Sequence, residues 1–259
     1  MKFRCPSLLR SLYWNIESKR LVIEPWEALP KALNQNLRIA IVGNAGYLLD
    51  CDVGERIDDF DLVIRMNNFR LSGYERHIGS RNDVVITNFS RYSIDFSNPG
   101  LRNCRMLVSS RPMNFLRHRK LGIEDRLGEH VTAGMKALRA RHVFVPDLHY
   151  FTELTARLER YPTTGLMALH LVVDILSSHC RELFLTGFSF FDGRTHYFSD
   201  QTVNAGQLHN VDAERNEFAK IIDQNRNWIS IDPIMQAHLY QRDNEQNFPP
   251  ALADTRRIA

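Results

Sequence analysis

Lysine is scarce in this chain of 259 residues: of 33 cationic side chains 6 are Lys and 27 are Arg, against 30 acidic ones. The planar fork of Arg suits phosphate and carboxylate, so the imbalance points either to an anionic ligand or to a GC-rich genome. Cysteine is sparse as well. Cys5, Cys51, Cys104 and Cys180 show no CxxC spacing and no close His partner. That argues against a zinc site and a disulfide scaffold, and reduced thiols in a cytoplasmic protein are the simplest account. No stretch approaches the roughly 18 to 20 apolar residues of a membrane span, and the start Met1-Lys2-Phe3-Arg4-Cys5-Pro6 has no signal-peptide core. Internal repeats and low-complexity tracts are absent too. With 44% apolar and 24% charged residues and a net charge of +3, the composition is that of an ordinary globular α/β protein.

Residues 1–36 mix Leu8, Leu9, Leu12 and Trp14 with Arg4, Arg10, Lys19 and Arg20, and read as an amphipathic or connecting segment that packs on the domain or lies on a membrane or partner. From Leu37 onward short β-rich runs alternate with helix-period segments. The runs are 38–42, 61–66, 83–87, 105–109, 142–145, 183–186 and 228–231, and the clearest helical segments are 166–178 and 213–225. This alternation predicts a single Rossmann-like domain over 37–241, an open and mostly parallel sheet with helices on both faces. Ligands of such sheets bind at the carboxyl ends of the strands. Residues 242–259, with Pro249-Pro250, read as a loosely held tail.

Five groups of residues stand out, three of them at those strand ends. Val42-Gly43-Asn44-Ala45-Gly46 is a strand meeting a glycine turn; it has G-x-x-G where a nicotinamide fingerprint needs G-x-G-x-x-G, which disfavours a dinucleotide. Gly43 would let backbone N–H groups approach an anion, with the Asn44 amide at the tip, although a turn with no ligand explains the same residues. Arg65-Met66-Asn67 puts a second amide at a neighbouring strand end, to hold a phosphate or ribose with the first or simply to cap a turn. Pro162-Thr163-Thr164-Gly165 opens a helical run, either as an anion site or as an ordinary N-cap. A later strand ends in Gly187-Phe188, where a flat base or sugar could approach. Last come His196-Tyr197-Phe198 and His209, the latter followed by Glu214 at H-x4-E spacing. Asp50-Cys51-Asp52 is formally a D-x-D but follows a turn rather than a strand end, and reads as a solvated loop rather than a metal site.

In this order the groups resemble the sialylmotifs of the eukaryotic-type sialyltransferases, glycosyltransferase family 29. The large motif is matched by 38–81, through Ile41 to Gly46, Val63 to Asn67 and Ile78-Gly79-Ser80-Arg81. The small motif is matched by 161–188, the third by His196-Tyr197-Phe198, and the very short one by His209 with Glu214. The resemblance implies a variant of the GT-A glycosyltransferase fold and an inverting transfer of an acidic sugar from a CMP-sugar, CMP-sialic acid or CMP-Kdo, to a glycan or glycolipid. It implies no metal, no cofactor and no nucleic acid. It would make His209 the general base and place His196 and Tyr197 on the departing phosphate. Asn44 and Asn67 would contact the nucleotide, Thr163, Thr164 and Gly165 the phosphate or cytidine, and Gly187 with Phe188 the base or ribose.

Some features depart from the family. Its invariant disulfide joins the first strand of the large motif to the small motif; the first position here is Ile39, while Cys180 keeps the second. The luminal stem and membrane anchor have no counterpart, so the resemblance implies a bacterial or viral member in the cytoplasm. Between Arg102 and Arg141 lie ten Lys and Arg against three acids, a local charge of about +7. This segment is expected to face an anionic acceptor or the inner membrane surface, or else to be a solvated helix face. A non-catalytic nucleotide-binding protein and a dinucleotide-dependent oxidoreductase are the competing readings.

Overall fold

The computed structural model describes residues 22–89, 93–95, 97–112, 142–200 and 208–245. Residues 1–21, most of the basic segment and the tail beyond residue 245 lie outside them.

Eight strands form one sheet: β1 (Val22–Pro25), β2 (Leu37–Val42), β3 (Leu62–Met66), β4 (Val84–Thr87), β5 (Met106–Ser109), β6 (His142–Val145), β7 (Cys180–Thr186) and β8 (Ile229–Ile231). Their order is β1-β6-β5-β4-β3-β2-β7-β8, and every pairing is parallel. Parallel strands are covered on both faces and so read as continuous apolar runs. Residues 39–42 of β2 are fully buried. Ile39 and Ile41 join one core, with Trp26, Leu166, Leu169 and Phe218, while Ala40 and Val42 join another across the sheet, with Leu48, Ile57 and Tyr197.

Around the sheet lie α1 (Gly54–Asp58), α2 (Glu75–Ile78), α3 (Leu148–Leu158), α4 (Thr164–His170), α5 (Val211–Gln224) and α6 (Pro233–Glu245). The longer ones start on polar caps: the side chains of Asp147, Thr163 and Asn210 accept from the first backbone amides of α3, α4 and α5. The Asp232 carboxylate accepts from Met235 N at α6, after which Pro233 takes the first helical position. The helical run anticipated over 166–178 is α4 followed by a π-helical turn at Leu171–Ile175.

The sheet also reaches back before residue 37, where the sequence pattern begins the domain. Among the described residues Val22-Ile23-Glu24-Pro25 pairs only with β6, and proline, which has no N–H to donate, is tolerated at such an edge. A four-residue run ending in proline carries little strand signal, yet Trp26 behind it is buried and its Nε1 donates to the Ser109 carbonyl at 3.2 Å.

From β2 the chain builds outward through β3, β4, β5 and β6, then returns with β7 to the other side of β2. The order therefore reverses between β2 and β7, and the crevice at the carboxyl end of such a reversal is where open α/β sheets take their ligands.

Candidate functional site

At the reversal the turns after β2 and β7 are pressed backbone to backbone. Gly43 N donates to the Thr186 carbonyl at 2.8 Å and Ala45 N to the Gly187 carbonyl at 3.0 Å. A Cβ on Gly43 would overlap the Gly187 carbonyl. Gly187 has φ 82°, and a Cβ there would stand 2.8 Å from the Gly43 carbonyl carbon and 2.9 Å from Leu48 Cδ1. The smallness of Gly187, expected to admit a base or sugar, serves this contact instead. The Tyr47 hydroxyl ties the junction down: it accepts from Gly187 N at 2.8 Å and Phe188 N at 3.2 Å and donates to Asp232 at 2.9 Å. Burial, and then the Asp232 charge, push the Tyr47 phenol well above its ordinary range.

The turn after β3 is held in the same manner. Asn44 Nδ2 donates to the carbonyls of Met66 (3.1 Å) and Asn68 (3.0 Å), so its two amide hydrogens bind the chain itself. Asn67 stands at φ 50°, a left-handed conformation that Asn tolerates. Its backbone N donates to Ile86 O at 3.0 Å, while its buried Oδ1 has no hydrogen-bond partner. Tyr197 is 1% exposed; its hydroxyl donates to the Arg70 carbonyl at 2.7 Å and accepts from Arg70 N at 2.9 Å, and its backbone N donates to Asn44 O. A hydroxyl committed in both directions has no hydrogen left for a phosphate, so Tyr197 fastens the segment after β3 rather than offering a free donor. Deeper in, the buried Arg65 donates to the carbonyls of Arg81 and Ile78, both at 2.7 Å, and Asp58 accepts from Ser80 and Arg81. The closing residues of the large motif thus fold back as a structural clasp.

The other side of the crevice is built from α4, α5 and the turns leading into them. Glu214, in the first turn of α5, is 4% exposed and accepts from Thr163 twice, from its N at 2.7 Å and its Oγ1 at 2.6 Å. Burial raises the Glu214 carboxyl to about 7 against these two donors. The same Thr163 Oγ1 accepts from Leu166 N at 3.2 Å. Thr163 is accordingly both N-cap and partner of Glu214, with no hydroxyl hydrogen free. Thr164 Oγ1 lies 3.4 Å from Ser110 Oγ at the end of β5. Gly165 packs under Phe188, whose Cε1 would be 2.8 Å from an added Cβ.

His209 sits just before α5, its side chain 18% exposed. Its Nδ1 is 2.6 Å from the Tyr161 carbonyl oxygen. A carbonyl only accepts, so Nδ1 carries the proton and Nε2 keeps its lone pair. Glu214 Oε1 stands 3.8 Å from the same Nδ1, and the Phe191 ring stacks on the imidazole at 9° and 6.4 Å between centroids. Burial, with a smaller push from the Arg111 charge, holds the His209 pKa below the ordinary His value, opposed by the Tyr161 hydrogen bond. His196 is half-buried against Phe198 and its pKa is lowered by burial.

Thr163, Glu214 and His209 therefore meet, as do Asn44, Tyr197 and the end of β3. Asp232, Phe191 and Arg111 complete these groupings from outside the matched motifs, while Tyr47 lies within the large motif and Tyr161 opens the small one, neither marked there for this role. Cys51, Cys104 and Cys180 are free thiols; Cys180 lies beside Leu37 in the β2–β7 pairing. Asp52 pairs with Arg76 at the surface, and among the described residues no three His, Cys, Asp or Glu side chains gather as a metal site. No described helix is long and apolar enough to cross a membrane.

The glycosyltransferase family 29 (sialyltransferase) model matches residues 19–226. Among similar proteins, the type 2 lactosamine alpha-2,3-sialyltransferase of Pan troglodytes is 27% identical over 216 residues, covering 73% of this chain and 62% of the relative. The lactosylceramide alpha-2,3-sialyltransferase of Bos taurus is 25% identical over 213 residues, covering 70% and 49%. The chain thus spans about three fifths or less of these relatives' length. A crystal structure of a mammalian sialyltransferase superposes with a TM-score of 0.57 at 20% identity, covering 85% of this chain and 78% of that one.

Proposed function

The chain belongs to glycosyltransferase family 29, the sialyltransferases, and we propose that it transfers an acidic sugar, sialic acid or Kdo, from its CMP derivative to a hydroxyl of a glycan or glycolipid. The observation that carries this reading is the His209–Tyr161 hydrogen bond, which fixes the tautomer with a free Nε2. In the proposed reaction the acceptor oxygen attacks the anomeric carbon while its proton passes to His209 Nε2. The bond from that carbon to the phosphate oxygen breaks, its electron pair leaves with CMP, and the configuration inverts. A His is suited to this task near neutrality, and one with a lowered pKa stays in its basic form there. Burial keeps His196 neutral as well, able to donate an N–H to the leaving phosphate. Asn67 Oδ1, buried and unpartnered, faces the nucleotide in this reading, beside Thr164.

Glu214 has a supporting part, holding Thr163 and hence the start of α4 beside the His209 loop. We assign the reaction no metal, and assign the basic segment 102–141 to an anionic acceptor or the inner membrane surface of a cytoplasmic enzyme.

The test is CMP release from CMP-sialic acid and from CMP-Kdo, in EDTA, with a panel of glycan acceptors. His209→Gln is expected to lower kcat by about 10²- to 10⁴-fold while CMP affinity survives. Absence of release from either donor with any acceptor sinks the transferase reading. Tight CMP binding in that case would favour the non-catalytic nucleotide-binding protein.

A further inference from the structure

Arg111 follows β5 at the carboxyl edge of the sheet, where it is half-buried. Its backbone is held on both sides by one hydroxyl: Ser109 Oγ donates to Arg111 O at 2.6 Å and accepts from Arg111 N at 3.1 Å. The guanidinium carbon lies 5.8 Å from the centroid of the Tyr161 ring. Tyr161 therefore carries Arg111 on its ring and His209 on its carbonyl, at 2.6 Å. The two side chains are near enough for the Arg111 charge to lower the His209 pKa.

Two other cations among the described residues on this side of the sheet are neutralised. Arg194 pairs with Asp200 at 2.9 Å and Arg215 with Asp192 at 2.7 Å. Arg70 is exposed, over the Phe198 ring. Arg111 makes no ion pair and no side-chain hydrogen bond among the described residues, although burying an unpaired guanidinium is costly. A cation held in that condition beside a general base is suited to an anion supplied by the substrate, and its planar fork matches a carboxylate in a bidentate manner.

We propose that Arg111 is a specificity-determining residue that binds the carboxylate of the donor sugar. This rests on the transferase reading above, and adds to it the group that recognises the acid. In a 2-keto acid sugar the carboxylate is attached to the anomeric carbon itself. The acceptor oxygen that His209 deprotonates attacks that same carbon, so the carboxylate must lie close to the base, and Arg111 is the half-buried, unpaired cation sharing Tyr161 with it.

The experiment compares wild type, Arg111→Met, Arg111→Lys and, as a charge control, Arg226→Met. Arg226 follows α5, exposed and paired with Asp223. For each, the KM for CMP-sialic acid is measured with a neutral galactoside acceptor, together with the inhibition constant of CMP, which lacks the carboxylate, and the melting temperature. Arg111→Met is expected to raise the donor KM by about 10- to 100-fold with the CMP constant within about twofold of wild type. Arg111→Lys recovers part of the loss, Arg226→Met changes neither, and the acidic limb of the kcat profile moves to higher pH in Arg111→Met. Equal weakening of CMP and CMP-sialic acid would place Arg111 on the phosphate and overturn the proposal, as would an unchanged donor KM in both Arg111 variants. A wild-type chain that binds neither ligand instead overturns the donor reading, and this inference with it.

Discussion

Residues 38–89 and residues 161–214 flank the same crevice, but they dispose of their polar groups in opposite ways. In the first region hydrogen-bonding capacity is largely turned inward: Asn44 binds the Met66 and Asn68 carbonyls, Arg65 those of Arg81 and Ile78, and Asp58 takes Ser80 and Arg81. The Oδ1 atoms of Asn67 and Asn82, buried without a partner, are exceptions. In the second region the internal bonds stop one atom short of the crevice. The Thr163–Glu214 pair and the Tyr161 carbonyl engage one another and His209 Nδ1, and His209 Nε2 is left over. The first region builds a floor and the second presents chemistry, so a recognisable motif is no guide by itself to ligand contact.

The severest way to break that contrast is Gly43→Ala. The new Cβ meets the Gly187 carbonyl, a backbone atom that cannot rotate aside. A loss of about 3 kcal/mol or more is expected, seen as a melting temperature lower by about 10 °C. A variant that keeps wild-type stability but loses CMP binding would show that this turn belongs to the ligand rather than the floor.

Glu214→Gln probes the second region, and its sign follows from the raised carboxyl. A folded pKa of about 7, above the ordinary glutamate value of 4.5, favours the protonated form in the folded state. Its contribution to stability is present in full below the unfolded pKa and is lost as pH rises through about 7. The difference in stability between wild type and Glu214→Gln should therefore shift by up to about 3 kcal/mol between pH 4 and pH 8, the wild type losing ground as pH rises. His196 and His209, whose lowered values give the opposite slope, are common to both proteins and cancel in that difference. A pH-independent difference would mean that Glu214 titrates in the folded protein as it does in the unfolded chain, and a wild type that gains ground as pH rises would mean that the Thr163 donors hold it ionised.

Much of the floor was legible because it is local. Buried strands such as Ile39 to Val42 announce themselves as apolar runs, and Thr163 and Asn210 as caps. The rest depends on contacts that leave no pattern in the chain. Gly43 meets Gly187 across 144 positions and Tyr47 meets Asp232 across 185, and Asn44 binds carbonyls that any residue would supply. In the candidate site, His209 and Glu214 were visible from their spacing, but Tyr161 acts through its main chain and Arg111 is one cation among ten in its segment. Nothing in a sequence distinguishes the Arg that pairs from the Arg that does not.

Tyr197→Phe is the smallest perturbation and the sharpest. The resemblance to the third sialylmotif puts this hydroxyl on the phosphate, whereas the structure bonds it to both backbone groups of Arg70. Arg70 is exposed, so water can replace the lost partner, and the cost should be about 1 kcal/mol, a fall of about 2 to 4 °C in melting temperature. CMP affinity should stay within about twofold, because deleting a hydrogen bond that CMP never received removes nothing from the complex. If the hydroxyl instead turns from Arg70 to the phosphate when CMP binds, affinity falls by about tenfold or more at unchanged stability, as expected for a bond to a charged group. The two outcomes are opposite in both readouts, so this single oxygen decides whether the floor remains closed once the nucleotide arrives.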